Sequence, residues 1–140
     1  MSSLAETLYQ KINWIVGIAV LGVVVLMSKQ SSRQNIEPST DLYFQSAVAT
    51  ETRPVLVKFG ATWCPPCVST DAALKEFQST GSGAVKVVII DVDSSPELAA
   101  HYRVRGIPHS FIFRNGKVVD DRVGGMDVEE IRSWVNSNVH

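Results

Sequence analysis

The apolar positions of this chain follow two different patterns. From Ile12 to Met27 nearly every residue is apolar, and a lysine stands on each side of this stretch. Further along, short apolar runs alternate with stretches of helical spacing, a pattern typical of a globular α/β domain. The pattern divides the chain into four parts: a flank of residues 1–11, an apolar segment of residues 12–28, a polar segment of residues 29–40 and a domain of residues 41–140.

The apolar segment has the length and the flanks of one membrane-spanning helix. Its 17 residues would extend roughly 25 Å at about 1.5 Å per residue, near the short end of what crosses a bilayer. Trp14 fits an interfacial aromatic belt, and Lys11 and Lys29 can extend to the headgroups. We therefore expect a membrane anchor here. A cleaved signal peptide, whose apolar region is usually shorter, and a buried core helix are the alternatives. Positive charges are nearly balanced across the segment, so topology stays open.

The polar segment that follows is rich in Ser and Gln, and we interpret it as a tether that lets the domain stand off the membrane. The domain then opens with Leu42–Ser46, which resembles the recognition sequence of a viral protease. The spacing of Leu42, Gln45, Val48 and Ala49 favours a native short helix that packs on the domain with these residues.

The domain itself contains predicted strands and helices in the order β-α-β-α-β-β-α. The strands are predicted at Val55–Phe59, Val85–Val92, Ser110–Phe113 and Val118–Val123, and the helices begin near Pro65, Pro96 and Asp127. Val87–Ile90 is continuously apolar, as in a central parallel strand covered on both faces. Asn115-Gly116 predicts a tight hairpin, and Asp127 with Glu130 predicts a capping box. The expected fold class is α/β, a mixed central sheet flanked by helices.

Composition narrows the chemistry that such a domain can carry. With 140 residues, 45% of them apolar, the chain can hold one globular domain of ordinary size. A formal net charge of −1 and the lack of a basic stripe argue against nucleic acid as a partner. The only two cysteines lie three positions apart, so they cannot connect distant parts of the fold. We therefore expect them to carry chemistry.

These two residues, Cys64 and Cys67, lie where the first strand of the domain gives way to its first long helix. At this spacing two cysteines face the same side and can close a disulfide. A thiolate at a helix N-terminus is stabilised by unpaired N–H groups and by the helix dipole, which favours Cys64 as the attacking sulfur. Cys67, one turn deeper, would then resolve the mixed disulfide.

Two other classes of function use the same residues. A metal-binding module or metallochaperone would employ both cysteines and His109 as soft ligands, although structural zinc sites normally have four ligands. A docking protein without turnover is a third possibility, and the intact cysteine pair argues against it. The prolines at both positions between the cysteines restrict the loop, which also argues against a metal site.

Several separated motifs in residues 41–140 resemble those of the thioredoxin family. They are Trp63-Cys-Pro-Pro-Cys67, Gly106-Ile107-Pro108 before a strand, Asn115-Gly116-Lys117 and Gly124. The resemblance implies a thioredoxin-like fold in which the Ile107–Pro108 peptide bond is cis and its loop lies beside the dithiol. It also implies that Trp63, Pro65, Pro66, Ile107 and Pro108 shape a surface on which an extended client strand can pair.

The function that the resemblance implies is thiol–disulfide exchange with cysteines of client proteins, without a cofactor. A redox partner, either a membrane protein or another dithiol protein, would regenerate the dithiol. Members of the family held by one N-terminal helix usually place the domain outside the cytoplasm, where they often act as reductants. We therefore expect a single-pass membrane protein with an extracytoplasmic domain, periplasmic or equivalent. Direction depends on reduction potential and compartment, and the residues alone determine neither.

Three positions depart from the common pattern of the family. Pro65 stands where glycine is common and lacks an N–H that could face the Cys64 thiolate. Lys58 stands where a buried acid often assists proton transfer at the second cysteine; its ammonium would either point inward and favour thiolate or reach water. His109 follows Pro108 where threonine is more common, and it would either act on the sulfurs or lie on the surface. These positions are the candidates for tuning the dithiol.

Overall fold

The computed structural model describes residue 36, residues 39–81 and residues 83–139. The predicted anchor at residues 12–28 and most of the predicted tether lie outside these residues. Within the described part, no helix is both long enough and apolar enough to cross a bilayer. The anchor and its topology stay predictions.

Four strands form one mixed sheet in the order β2-β1-β3-β4. The strands are β1 (Val55–Gly60), β2 (Lys86–Asp91), β3 (His109–Arg114) and β4 (Lys117–Val123). Strand β1 is parallel to β2 and antiparallel to β3, and β3 and β4 form an antiparallel hairpin. At the turn, Asn115 and Gly116 both have positive φ, 51° and 74°, which a two-residue turn of this kind requires. The predicted mixed sheet and hairpin are confirmed.

Helices cover the two faces of the sheet. They are α1 (Leu42–Phe44), which continues into a π-helical turn (Gln45–Ala49), α2 (Pro65–Thr80), α3 (Pro96–His101) and α4 (Val128–Val139). The capping box of α4 is present, since the Glu130 N–H donates to Asp127 Oδ1 at 2.8 Å and the Asp127 N–H donates to Glu130 Oε2 at 2.9 Å. Both long helices start where the sequence predicts.

Alternation along β1 separates two hydrophobic cores. Val57 and Phe59 pack with the aromatic residues Tyr102 and Phe111 on one side of the sheet. Leu56, on the other side, packs in a cluster with Leu74, Phe77, Ile112, Met126, Ile131, Trp134 and Val135. Residues two apart on a strand share a face, so Lys58 points to the same side as Leu56. The side chains on this face of β1, including Lys58, therefore lie beneath α2.

Two sequence-based expectations about packing are wrong. Strand β2 is an edge of the described sheet rather than a central strand, and Ile89 within its apolar run is half exposed. The predicted short helix exists and buries Val48 as expected, but its other buried residues are Phe44 and Ala47, while Leu42 is 82% exposed. These buried residues follow an i, i+3, i+4 spacing counted from Phe44, whose ring lies 5.1 Å from that of Tyr102. The aromatic side chain, not Leu42, therefore determines which side of this helix is buried.

Candidate active site

Cys64 and Cys67 form a disulfide where β1 gives way to α2. Cys64 occupies the N-cap position of α2, with extended backbone angles (φ −97°, ψ 107°), and Pro65 and Pro66 fill the first helical positions. Proline is favourable there because its fixed φ suits a helix start and its missing N–H would have no partner in the helix. The Cα atoms of the two cysteines are 5.2 Å apart. The local sequence thus forms the dithiol-disulfide turn that the spacing predicts.

The two cysteines differ slightly in their exposure to solvent. As whole residues, Cys64 is 5% exposed and Cys67 is fully buried. Ala61, Val92 and Ile107 pack around the pair. A partner sulfur can therefore approach Cys64 more readily than Cys67, an arrangement that suits the predicted attacking and resolving roles.

The cis-proline loop lies beside the disulfide. The Ile107–Pro108 peptide bond is cis, as the motif predicts. The Ile107 carbonyl oxygen lies 3.9 Å from Cys64 Sγ, and the Pro108 carbonyl accepts a hydrogen bond from the Gly124 N–H at 2.8 Å. This second bond ties the loop to the end of β4. The loop backbone is thus held next to the more accessible sulfur.

Backbone donors are scarce at the front of the disulfide. Pro65 and Pro66 supply no N–H, and the N–H groups of Cys67 and Val68 both donate to the Cys64 carbonyl, at 3.0 and 3.1 Å. In the disulfide form the Cys67 N–H is therefore engaged within the helix. A Cys64 thiolate would have to share that donor with the carbonyl oxygen of its own residue.

Two polar contacts that support the site have no signal in the sequence pattern. Thr70 Oγ1 donates to the Pro66 carbonyl at 2.9 Å and accepts from the Met126 N–H at 3.2 Å, which connects the first turns of α2 to the segment before α4. Trp63 Nε1 donates to Asp93 Oδ2 at 2.7 Å. The Trp63 side chain is 68% exposed, so Asp93 holds one edge of a ring that offers apolar surface beside the cysteines.

Lys58 points inward, and the alternative in which its ammonium reaches water is wrong. The residue is 1% exposed, and its Nζ lies 2.6 Å from Asp71 Oδ1 on α2. The two opposite charges form an ion pair between β1 and α2. The side chain of Asp71 is 36% exposed and connects the buried cation to solvent.

Gly60 separates Lys58 from the disulfide. A Cβ atom on Gly60 would lie 3.1 Å from Cys67 Sγ and closer still to Lys58 Nζ. Both atoms therefore border the same small volume, which the missing side chain of Gly60 leaves free. Only glycine fits here without displacing the ammonium.

His109 lies neither at the sulfurs nor on the surface. The residue is 6% exposed, its Nε2 lies 2.8 Å from Asp121 Oδ2, and its ring stacks on Phe111 at 4.2 Å between centroids. Because a carboxylate only accepts hydrogen bonds, Nε2 donates in this contact, and Nδ1 is buried with no hydrogen-bond partner among the described residues. The register explains this position: His109 is paired with Phe59, and Ser110 with Lys58, so His109 and Lys58 point to opposite faces.

The metal-binding alternative gains no third ligand from the described part of the chain. No group of three or more His, Cys, Asp or Glu side chains in that part could hold a metal ion. His109, the third ligand considered above, is engaged by Asp121.

Comparison with known proteins agrees with this geometry. The family model described as Thioredoxin matches residues 35–137. Thioredoxin C-2 of Corynebacterium nephridii is 36% identical over 101 residues, covering 72% of this chain and 94% of that protein. Thioredoxin of Porphyra purpurea is 37% identical over 109 residues, covering 75% and 98%. Thioredoxin of Rickettsia bellii is 34% identical over 100 residues, covering 71% and 95%. The chain therefore belongs to the thioredoxin family and, with its Cys64–Cys67 pair, is a thiol–disulfide oxidoreductase.

Proposed function

We propose that this oxidoreductase reduces disulfides of client proteins while tethered to a membrane, with Cys64 as nucleophile and Cys67 as resolving thiol. The observation that carries the proposal is a cysteine pair at the N-terminus of α2 in which residue Cys64 keeps a small exposure and Cys67 keeps none, beside the loop that contains Ile107 and Pro108. A client can reach Cys64 first, and only an internal attack can use Cys67.

The exchange transfers two electrons in two steps. The Cys64 thiolate attacks one sulfur of a client disulfide, a bond forms between Cys64 and that sulfur, and the other client sulfur leaves as a thiolate. The Cys67 thiolate then attacks Cys64 Sγ, the intramolecular disulfide forms, and the second client sulfur leaves. The client gains two electrons and takes up protons from water, and the chain is oxidised. A redox partner must supply two electrons to restore the dithiol.

The surface around Cys64 suits an extended, partly apolar client segment. Trp63 is exposed on one side of the disulfide, and Val123 is 65% exposed, with a methyl group 3.5 Å from where a Gly106 Cβ would lie. The Ile107 carbonyl oxygen lies 3.9 Å from Cys64 Sγ. A client strand that pairs with this backbone would bring its cysteine to Cys64 and its neighbouring side chains to the apolar surface.

Membrane attachment is supported by the apolar segment of residues 12–28 and the polar segment that follows it. A tether of 12 residues reaches at most about 40 Å when fully extended. The domain would therefore act on clients close to a membrane surface, on the extracytoplasmic side. A membrane protein within that reach would be a suitable source of electrons.

Turnover of a protein disulfide tests the catalytic part of this proposal. Reduced wild-type protein should accelerate insulin reduction by a small dithiol, and Cys64→Ser should abolish the acceleration because no nucleophile remains. The matched change Cys67→Ser should also stop turnover but leave the first attack intact. Acceleration that persists in Cys64→Ser would contradict the assignment of the nucleophile.

Fractionation of the full chain tests the tether. The wild-type chain should remain with membranes after an alkaline carbonate wash. Val20→Arg, at the centre of the apolar segment, should reduce this retention, since a charge there costs about 2.5–3.5 kcal/mol on insertion scales. Reduced retention with insulin reductase activity unchanged would support a separate anchor. Recovery of the wild-type chain in the wash would contradict it.

A further inference from the structure

An ion pair between the buried Lys58 and the partly exposed Asp71 lies behind the disulfide. Cys67 and Asp71 are four positions apart on α2, so they share one face of the helix, and that face covers Lys58 on β1. Lys58 is 1% exposed and Cys67 is not exposed at all. The cation and the resolving sulfur are therefore enclosed together in the protein interior.

The position of Gly60 shows how close the Lys58 ammonium lies to the Cys67 sulfur. The place where its Cβ would lie is 3.1 Å from Cys67 Sγ, and Lys58 Nζ comes nearer still to the same place. The ammonium and the sulfur thus face each other across a residue without a side chain. Charges interact more strongly in such an interior than in water, because less solvent screens them.

The residues paired with Lys58, Ile89 on β2 and Ser110 on β3, are uncharged. Asp91, paired with Gly60 on the same face of β2, accepts hydrogen bonds from the N–H groups of Asp93 and Ser94, so Asp71 on α2 is the counter-ion that the structure shows in contact with Lys58. A buried ion pair is weak evidence for stability, since a hydrophobic pair of similar volume often serves as well. A buried charge next to a reactive group is, by contrast, a common feature of functional sites.

We propose that Lys58 is a positioning residue that holds Cys67 as a thiolate for the resolving step, and that Asp71 fixes the ammonium in this place. The inference rests on the proposed exchange reaction and assigns a role within it. The Cys67 S–H bond breaks before the attack, and its proton leaves for water past the partly exposed Asp71 carboxylate. The Cys67 electron pair then forms the bond to Cys64 Sγ, the bond between Cys64 and the client sulfur breaks, and the client leaves as a thiolate.

The two halves of the reaction can be followed separately with dithiobis(nitrobenzoate), an aromatic disulfide that releases a coloured thiolate. Attack by Cys64 releases the first thiolate at a rate that depends on reagent concentration. Attack by Cys67 releases the second at a rate that does not. The pH profile of the second phase reports the ionisation of Cys67 within the mixed disulfide.

Lys58→Met should raise the midpoint of this second profile by about one pH unit. Below both midpoints the thiolate fraction falls about tenfold, but a more basic thiolate is about threefold more nucleophilic, so the rate should fall about threefold. Above both midpoints the variant should be about threefold faster than wild type. The two profiles should therefore cross, which a merely structural effect would not produce.

Gly60→Ala provides a second test without a change in charge, because its methyl group would push the ammonium away from the sulfur. It should shift the midpoint in the same direction, and the double variant with Lys58→Met should shift it no further than Lys58→Met alone. Additive shifts would place the effect of the methyl group on the sulfur itself and count against the proposal.

Lys117→Met is the matched control, since it removes the same charge from an exposed position at the hairpin turn, the opposite end of β4 from the cis-proline loop. It should leave both phases unchanged. An unchanged second profile in Lys58→Met would overturn the role of Lys58 and leave the exchange reaction standing. A wild-type protein that releases no second thiolate would overturn the proposed function as well.

Discussion

Lys58 and His109 are both buried, both are paired with an aspartate, and both lie within three positions of the active-site loops, yet they lie on opposite faces of the sheet. Lys58 points beneath α2 towards Cys67, and His109 points into the aromatic core beside Phe111. The strand register causes this difference, because His109 is paired with Phe59 and not with Lys58. A side chain that is near a reactive group in sequence therefore does not always reach that group. The alternation of side chains along the strand determines whether it points to the same face.

Among substitutions that test the difference between Lys58 and His109, we expect Lys58→Met to have the largest effect, a change in the redox equilibrium of the dithiol. If the ammonium stabilises a thiolate of the reduced protein, its loss should favour the disulfide and make the protein a stronger reductant. The equilibrium constant against glutathione should move by up to about tenfold, which corresponds to one unit of thiol pKa. The measurement is the redox equilibrium at several pH values, followed by thiol labelling.

The direction in which the redox equilibrium moves shows whether Lys58 stabilises the reduced state. An unchanged equilibrium, or one that moves towards the dithiol, would show that Lys58 does not stabilise the reduced state. Lys117→Met should leave the equilibrium unaltered, since its side chain is exposed at the hairpin.

His109→Gln should affect stability and not redox chemistry. Loss of the contact with Asp121 and of the stacking on Phe111 should lower the free energy of unfolding by about 1 kcal/mol. This is less than a fully buried hydrogen bond to a charged group contributes, because Asp121 is half exposed. Urea denaturation measures the loss. The pH profiles of both phases of thiolate release should stay as in wild type. A shifted profile would contradict the separation of the two faces.

Pro65→Gly extends the comparison to the front of the disulfide. The new N–H at this position can face the Cys64 thiolate, so the pKa of Cys64 should fall by about half a unit, roughly a threefold gain in thiolate. Thiolate absorbance against pH measures it. An unchanged or higher pKa would show that this N–H does not reach the sulfur.

Asp93→Ala should have the smallest effect. Without the acceptor for its indole N–H, the exposed Trp63 ring should become more mobile and bind client less well. We expect KM for a protein client to rise about twofold, the effect of a weak exposed hydrogen bond, with kcat unchanged. Steady-state insulin reduction distinguishes the two parameters, and a lower kcat with KM unchanged would contradict a role in client binding.

Elements with strong local signals could be predicted from the sequence. The hairpin at Asn115-Gly116, the capping box at Asp127 and the cysteine turn each depend on residues within a few positions of one another. The cis bond at Pro108 was predictable by resemblance, because the motif Gly106-Ile107-Pro108 is specific. Local chemistry therefore accounts for the elements and for the presence of the dithiol.

Side-chain direction and distant partners could not be predicted in the same way. Strand β1 is buried on both faces, so its pattern does not show which face Lys58 takes. Asp71 and Asp93 become partners of Lys58 and Trp63 only after the fold brings α2 and the segment after β2 to them. The edge position of β2 likewise depends on strand order, which continuous apolar runs do not encode.

The most direct test of the central claim is to trap the intermediate between the protein and a client. Reduced Cys67→Ser protein, mixed with a client disulfide and analysed by mass spectrometry without reductant, should accumulate a mixed disulfide through Cys64. The Cys64→Ser protein should accumulate none, because Cys67 is not exposed. A mixed disulfide that forms through Cys67, or none in either variant, would contradict the account of Cys64 as the attacking sulfur and Cys67 as the resolving one.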